Sequence, residues 1–269
     1  MRPILQIMLA SISLYLPALS AHQGDHSSIA ELDALLAISP DAPSLLMTRG
    51  AAYTRTGQWD KAEQDIRLAK QIDTHINVEF ALAQLYFHSG AFNNALLHIN
   101  QYIEINPGYA PALLLKARSA HAAKQTKLAL QSWVDYLTME PLAHPGDYLA
   151  AAKLHALTGA SGLKKALDLI DQGIENIGLT AQLQGYAMQL ELDRNQPTRA
   201  YNRWRSLEHQ LGTTPKYKIT LAKLLILTNR AGEARLMLED ARTQLLQLRK
   251  TPAREALDLK LLSIEKQLG

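Results

Sequence analysis

Two histidines near the start of the chain have a spacing that could bind a metal ion. They stand in the segment His22-Gln-Gly-Asp-His26. If a signal peptide is removed after Ala21, His22 carries a new amino terminus. An amine and two imidazoles can together hold copper, nickel or zinc. The alternative, which we favour, is a flexible polar linker, and we therefore predict no resident metal or other cofactor.

Other patterns that could support catalysis are scarce. The chain has no cysteine, so it has no thiol nucleophile, disulfide or cysteine-held metal. No phosphate-binding loop, dinucleotide-binding glycine motif or serine-hydrolase motif occurs in the sequence. The carboxylate pairs Asp60/Glu63 and Glu239/Asp240 fall on predicted helix surfaces, where we expect them to be solvated. These observations favour a protein that is not an enzyme.

Positive charge is concentrated toward the C-terminus. Residues 22–180 carry 12 Lys and Arg against 16 Asp and Glu, a balance of −4, whereas residues 181–269 carry 15 against 9, a balance of +6. One interpretation is that these are ordinary solvated helix faces, and the other is a basic C-terminal surface for a partner. Arg199 and Arg203 form the densest basic spot, and we expect them to face solvent. The overall charge of +3 is too weak to predict a nucleic-acid partner.

The first 21 residues have the order of a secretory signal peptide. Arg2 is followed by the mostly apolar run Ile4–Leu16, then by Pro17 and small residues. Cleavage could follow Ser20 or Ala21, and an uncleaved anchor is the alternative. Because the run is shorter than the ~20 apolar residues of a spanning helix, we predict no stable membrane insertion after cleavage. Export without cysteine favours a periplasmic or secreted location in bacteria.

A repeat must position any functional side chains in the rest of the chain. Small and large apolar residues recur at fixed offsets with helical spacing, and one alanine marks the same place in each copy. The intervals between these alanines are 33, 34, 37, 34 and 34 residues. We expect the extra residues of the fourth copy in the turn Thr158–Gly162. The six marker alanines are Ala62, Ala95, Ala129, Ala166, Ala200 and Ala234.

The turns within each copy support this phase. Between its two helices the chain needs a residue that tolerates the left-handed backbone region, which favours glycine and asparagine. Lys124 is the exception to this preference. Between copies, Pro107, Pro141, Gly178 and Gly212 are predicted to end helices. The residues at the turn position are Gly57, Gly90, Lys124, Gly159, Asn195 and Asn229.

The segment Arg49–Asp73, which reads RGAAYTRTGQWDKAEQDIRLAKQID, resembles one tetratricopeptide (TPR) unit. The resemblance covers residues 43–245. It implies an all-α, TPR-like right-handed α-solenoid of about six helix-turn-helix units with capping helices.

Each end of the repeat array carries signals for a capping helix. Ser28 and Glu31 predict a capping box that opens a helix at Ile29. Thr251 and Pro252 predict the start of the last helix. We therefore divide the chain into a signal peptide (1–21), a linker with an N-terminal cap helix (22–42), the TPR-like array (43–245) and a C-terminal capping helix (246–269).

The resemblance also implies a binding surface. In TPR units the first helix of each pair lines a concave groove, mainly at its second, fifth, ninth and twelfth positions. Further groove positions here are Leu149, Ile219 and Lys223. The mixture of apolar groups and cations would suit a protein or peptide partner with acidic residues and apolar anchors. The candidate partner-binding residues are Phe80, Gln84, Phe87, His88, Leu114, Arg118, His121 and Lys153.

The sequence thus predicts a non-enzymatic scaffold or adaptor in the bacterial periplasm that binds a partner in this groove. It lacks the lysine and asparagine clamp of chaperone-binding TPR proteins, because Met47 and Ala51 stand at the first two clamp positions. The alternative function is an accessory factor of an envelope enzyme or metal-handling system that uses His22 and His26.

Overall fold

A computed structural model describes residues 25–268 of the chain. Within that range all of the regular secondary structure is helical, in 15 α-helices. The chain divides into two compact units, unit 1 ending at Gly90 and unit 2 beginning at Ala91. The expected signal peptide and His22 lie outside the described residues, as does the side chain of His26, so the export and metal hypotheses stay predictions.

Unit 1 is built around one helix-turn-helix pair. Its helices α2 and α3 pack against each other, α1 lies against α2, and α4 contacts both α2 and α3. Ile66 of α3 and Leu82 of α4 are each 2% exposed or less in the shared core. The helices of unit 1 are α1 (Asp25–Ile38), α2 (Pro43–Arg55), α3 (Trp59–Ile72) and α4 (Glu79–His88).

The start of α1 differs from the sequence-based expectation. The helix begins at Asp25, four residues before the expected Ile29. Ser28 therefore lies inside the helix and is not its N-cap, so the predicted capping box is wrong. Local sequence could not separate the two starts, because Asp25 and Ser28 are both residue types that open helices.

Unit 2 repeats the same pairing. The pairs α6/α7, α8/α9, α10/α11 and α13/α14 pack face to face, and each second helix then contacts the first helix of the next pair. The helices of unit 2 are α5 (Phe92–Ile105), α6 (Ala110–Ala122), α7 (Thr126–Met139), α8 (Pro145–Ala156), α9 (Ala160–Ile177), α10 (Ala181–Asp193), α11 (Pro197–Arg205), α12 (Glu208–Leu211), α13 (Pro215–Leu227), α14 (Ala231–Gln247) and α15 (Pro252–Glu265).

The marker alanines confirm the phase of the repeat. All six are 0% exposed, as expected where helices cross too closely for a larger side chain. Large residues fill the adjoining space, and Trp133 and Trp204 are 2% and 7% exposed. The Trp204 ring stacks on Tyr217 at 5.8 Å, and its Nε1 donates to the Tyr217 carbonyl oxygen at 3.0 Å. These contacts join α11 to α13 across the short α12.

The turn positions are confirmed as well, including the one that breaks the residue preference. Gly57, Gly90 and Gly159 have φ angles of +74°, +82° and +88°. Lys124 adopts a φ of +59° even though its Cβ makes this region unfavourable. The repeat geometry therefore imposes this conformation on a residue type that does not prefer it. Asn195 and Asn229 adopt +56° and +59°.

The extra residues of the fourth copy lie elsewhere than expected. They lengthen α9 to 18 residues, beginning at Ala160, so most of the predicted turn is helical. Gly162 makes this possible, because a Cβ there would stand 2.1 Å from the carbonyl oxygen of His155. Gly178 ends α9 with a φ of +86°. Gly212 ends α12 with an ordinary φ of −54°.

The last helix begins as predicted. The side chain of Thr251 accepts a hydrogen bond from the backbone N–H of Arg254 at 3.2 Å, with Pro252 in the first turn. Leu261 and Ile264 bury the inner face of α15, which packs on α13 and α14. Among residues 25–268, no helix is long and apolar enough to cross a membrane.

Candidate partner-binding surface

Unit 1 contains a cavity at the place where the resemblance implies a groove. The cavity has a volume of ≈ 250 Å³ and lies among α2, α3 and α4. Gln84 and His88, two of the predicted partner-binding residues, line it, and both side chains are exposed. The other lining residues are Ala51, Thr54, Arg55, Ile66 and Ala81. Thr54 and Ile66 are buried in this lining, whereas Ala51 and Arg55 are exposed, and such a mixture of apolar and polar groups suits a short side chain of a partner.

The two predicted phenylalanines of unit 1 are only half-buried. Phe80 and Phe87 lie on α4 with intermediate exposure. The ring of Phe87 meets the imidazole of His88 edge to face, with centroids 5.6 Å apart. Neither phenylalanine lines the cavity with Gln84 and His88. Phe87 is therefore placed to support His88, and the cavity itself is more polar than the sequence suggested.

Unit 2 presents a row of side chains at one repeated position. Each is the ninth residue of the first helix of a pair, and the last is the ninth residue of α15. All five are exposed, and four are cations. We call this row the first-helix surface of unit 2. It consists of Arg118, Lys153, Gln189, Lys223 and Lys260.

At the start of the row, the charge of Arg118 already has a partner. Its Nη2 donates to Asp147 Oδ1 at 3.1 Å, and Tyr136 Oη donates to the other carboxylate oxygen at 3.2 Å. Asp147 is 8% exposed and Arg118 remains half exposed. Burial, followed by the Asp147 charge, raises the pKa of Tyr136 to about 12. The expected mixture of apolar groups and cations is therefore incomplete here, because α8 brings the acidic Asp147 across to Arg118.

The next cation is also engaged. The Nζ atom of Lys153 lies 5.8 Å from the centroid of the Tyr186 ring on α10, a cation–π distance. The contact links the first helices of two successive pairs. The remaining predicted residues of this unit are His121, which is exposed, and Leu114, which is half-buried.

Several sequence-based placements need correction. Leu149 and Ile219, at the fifth position, are 6% and 0% exposed and belong to the core. Arg203, expected to face solvent, makes a bidentate pair with Asp171 of α9, and its side chain is 20% exposed. For these three residues a neighbouring helix covers a position that the pattern of one helix leaves open. Asp240 is exposed as expected, although it also pairs with the Nζ atom of Lys218.

Sequence reasoning missed the ion-pair network that fixes α1 in unit 1. Arg49 Nε and Nη2 donate to the two oxygens of Asp65 at 2.7 and 2.8 Å, and Nη1 donates to Asp33 at 2.7 Å. Asp65 is 5% exposed. A charged residue on the apolar face of α3 is the signal that could have revealed this pair, because buried carboxylates need a cation.

One histidine of the described residues is buried in the core. His155 is buried between α8 and α9, and burial, followed by the charge of Lys165, lowers its pKa. No carboxylate or hydroxyl is recorded within hydrogen-bonding distance of its ring. Among the described residues, no group of three His, Asp or Glu side chains could hold a metal ion.

Comparison with known proteins identifies the fold. No protein-family model matches the sequence, and no curated protein sequence matches it either. Solved structures do match. The C-terminal part of a TPR repeat-containing protein from Cytophaga hutchinsonii has a TM-score of 0.67 at 12% identity, covering 87% of this chain and 94% of that one. The chain has a TPR fold.

Two further structures agree with this assignment. A tetratricopeptide repeat protein from Parabacteroides merdae has a TM-score of 0.52 at 17% identity, with 88% of this chain and 92% of that one covered. A MamA protein has a TM-score of 0.52 at 10% identity, with 65% and 97% covered. The resemblance drawn from Arg49–Asp73 and the marker alanines is thereby confirmed as an all-α, TPR-like solenoid.

Proposed function

We propose that this protein is a non-catalytic scaffold that holds a protein or peptide partner on the exposed face of its first helices. The observation that carries the proposal is the cavity of unit 1, which is lined by the exposed Gln84 and His88 together with the small side chains of Ala51 and Ala81. The small side chains leave space between the helices, and a TPR fold offers this face as a docking surface.

The site lacks the parts that catalysis needs. Some polar groups on the first-helix surface of unit 2 bind neighbouring side chains, as in the Arg118–Asp147 ion pair. The others lie near further cations. The cavity of unit 1 is lined by a guanidinium, an amide, an imidazole and the hydroxyl of Thr54, and that hydroxyl donates to the Gly50 carbonyl oxygen at 2.9 Å. Such a set can bind and orient a peptide, but it does not form a nucleophile–base pair.

The proposed location is the bacterial periplasm. It rests on Arg2, the apolar run Ile4–Leu16 and the small residues that follow Pro17. N-terminal sequencing of the exported protein should begin at Ala21 or His22. Intact Met1 in a soluble cytoplasmic fraction would contradict this location without affecting the docking surface.

Site-specific photo-crosslinking tests the docking surface. A photoreactive phenylalanine is placed at Gln84, or at Ala34 on the exposed side of α1 as a matched control. We expect one protein of the envelope to be captured through Gln84 and not through Ala34. Ala51→Trp, which fills the cavity, should abolish that capture, whereas Ala34→Trp should not. Equal capture from both positions would refute the proposal.

A further inference from the structure

Three lysines stand together at the C-terminal end of unit 2. Lys216 and Lys223 lie on α13, two helical turns apart and on one face, so that their Cα atoms are separated by about 10 Å. Lys260 lies on α15, which packs against α13. The charges of Lys223 and Lys216 both act on Lys260, and they lower its pKa after the larger effect of burial. Because α15 packs against α13 and all three side chains are exposed, we group these residues as one surface, which we call the lysine cluster.

The lysine cluster has no acidic partner among the described residues. Helix α13 contains no Asp or Glu at all. On α15, Asp258 pairs with Arg254 and Glu265 with Arg242 of α14, and the exposed Glu255 makes no ion pair with a described residue. This contrasts with Lys218, also on α13, which pairs with Asp240. Like charges held together without compensation destabilise a fold slightly, so an anionic ligand would relieve their repulsion.

Helix α15 extends the docking surface instead of only closing the array. It begins with Thr251-Pro252, as α13 begins with Thr214-Pro215, and both threonines accept the same N-terminal hydrogen bond. Lys260 and Lys223 are each the ninth residue of their helix. Helix α15 thus occupies the place of a first helix in an incomplete further repeat, and Lys260 continues the row that begins at Arg118.

We propose that the lysine cluster formed by Lys216, Lys223 and Lys260 binds an extended acidic segment of the protein partner. The proposal rests on the proposed use of the first helices as a docking surface. The Cα atoms of Lys216 and Lys223 are about 10 Å apart, which matches carboxylates three residues apart in a polyproline II segment, because that conformation rises about 3.1 Å per residue and presents every third side chain on one face. The exposed Leu227, at the end of the same face of α13, offers an apolar contact beside the charges.

The sequence-based candidates for this role are less suitable. Arg118 is neutralised by Asp147, and Arg203 by Asp171, so a partner carboxylate would have to compete with an existing one. At the lysine cluster a partner carboxylate gains an interaction and relieves repulsion at the same time. The excess positive charge of residues 181–269 is therefore a site and not only a solvated face.

Fluorescence anisotropy with a defined probe tests the inference. The probe is a labelled peptide of about ten residues that favours the polyproline II conformation, with Glu at every third position so that the carboxylates share one face, and its matched control has Gln instead. Wild-type protein should bind the Glu peptide at least about tenfold more tightly than the Gln peptide, with an affinity that falls as salt rises. The triple variant Lys216→Gln/Lys223→Gln/Lys260→Gln should lose about tenfold in affinity.

A matched variant removes the same charge elsewhere in unit 2. Lys127→Gln/Lys164→Gln/Lys250→Gln changes three exposed lysines and should bind the Glu peptide within about twofold of wild type. An equal loss in both triple variants would show a response to net charge alone and would overturn the proposal. Unchanged binding by the lysine-cluster variant would overturn it as well.

Two further arms separate the source of the anion and the two proposals. The lysine-cluster variant is also tested for binding to vesicles of anionic phospholipid and to inorganic phosphate. If it loses binding to either of these but keeps binding to the Glu peptide, the acidic-segment assignment is wrong. If photo-crosslinking through Gln84 succeeds but the lysine-cluster variant binds the Glu peptide as tightly as wild type, this inference fails and the proposed function stands. If crosslinking through Gln84 fails but binding of the Glu peptide requires the lysine cluster, the proposed function fails and this inference stands.

Discussion

The two ends of the first-helix surface of unit 2 differ in whether their cations are paired with carboxylates. At the α6–α8 end, Arg118 meets Asp147, which also accepts from the hydroxyl of Tyr136. At the α13–α15 end, the three lysines of the lysine cluster form no ion pair with a described carboxylate. The same position of the repeat is cationic at both ends, yet only one end has charge left over to attract a partner.

The difference shows that repeat position and charge availability are separate properties. The ninth position places a side chain on the surface, and this follows from helical geometry alone. Whether its charge is available depends on what the next helix brings to it, as α8 brings Asp147 to Arg118. In TPR folds the electrostatics must therefore be judged across helices, not along one of them.

The largest expected effect comes from removing the acid at the paired end. Asp147→Ala leaves the buried hydroxyl of Tyr136 without its acceptor and removes a favourable negative charge from the first turn of α8. We expect a loss of about 1–3 kcal/mol in the free energy of unfolding, measured by urea denaturation. The exposed Asp168→Ala on α9 is the control, and equal stability of the two variants would show that the paired end is not structural.

Alkaline pH should weaken the paired end. Folding raises the pKa of Tyr136 to about 12 from an ordinary value of 10.0. Below pH 10 the full stabilisation is present, and between pH 10 and 12 the unfolded chain loses the proton first, so stability falls. Tyr136→Phe should flatten this fall by up to about 1.4 kcal/mol per pH unit. A slope that Tyr136→Phe leaves unchanged in denaturation at several pH values would contradict the assignment.

Adding an acid should convert the unpaired end into a paired one. Ala256 is exposed and lies one turn before Lys260 on α15, so Ala256→Glu creates a favourable Glu–Lys pair. We expect a gain of about 0.3–0.5 kcal/mol in stability, together with a fewfold loss in affinity for the Glu peptide. Thermal denaturation and anisotropy measure the two effects. Ala253→Gln, which adds polar bulk without charge, should leave both nearly unchanged, and tighter peptide binding by Ala256→Glu would refute the comparison.

The smallest expected effect is on the titration of Lys260. Its pKa is lowered by burial and by Lys223 and Lys216, so the folded protein gives up this proton before the unfolded chain does. Stability linked to Lys260 should therefore rise as the pH passes from the lowered pKa to about 10.5. Lys223→Gln should raise the pKa of Lys260 in an NMR titration, whereas Lys127→Gln should not. An unchanged pKa of Lys260 in the Lys223→Gln variant would show that the two lysines do not interact.

Much of the fold was predictable because the repeat is encoded locally. The spacing of the marker alanines and the left-handed turn residues predicted the phase of the repeat. All six alanines are fully buried, and five helix pairs pack within the two units. The sequence-based predictions were wrong where one local pattern is compatible with two structures. Ser28 could cap a helix or lie within one, and the extra residues of the fourth copy could lengthen a turn or, as Gly162 permits, the helix α9.

The candidate site was only partly predictable. Gln84 and His88 do meet at one cavity, because their positions follow from the period of α4. The sequence could not pair Arg118 with Asp147, 29 residues away, since pairs between helices depend on how the helices cross.

By itself, the sequence determined that this protein is an α-helical repeat with a TPR-like phase and an excess of positive charge after residue 180. These properties depend on residue size, turn conformation and composition, which act over a few residues. The tertiary structure decided which cations are neutralised and which are left unpaired, as it did for Arg203 and Lys260. Charge pairing acts through space between helices that are far apart in the chain, and so it appears only when the helices have packed.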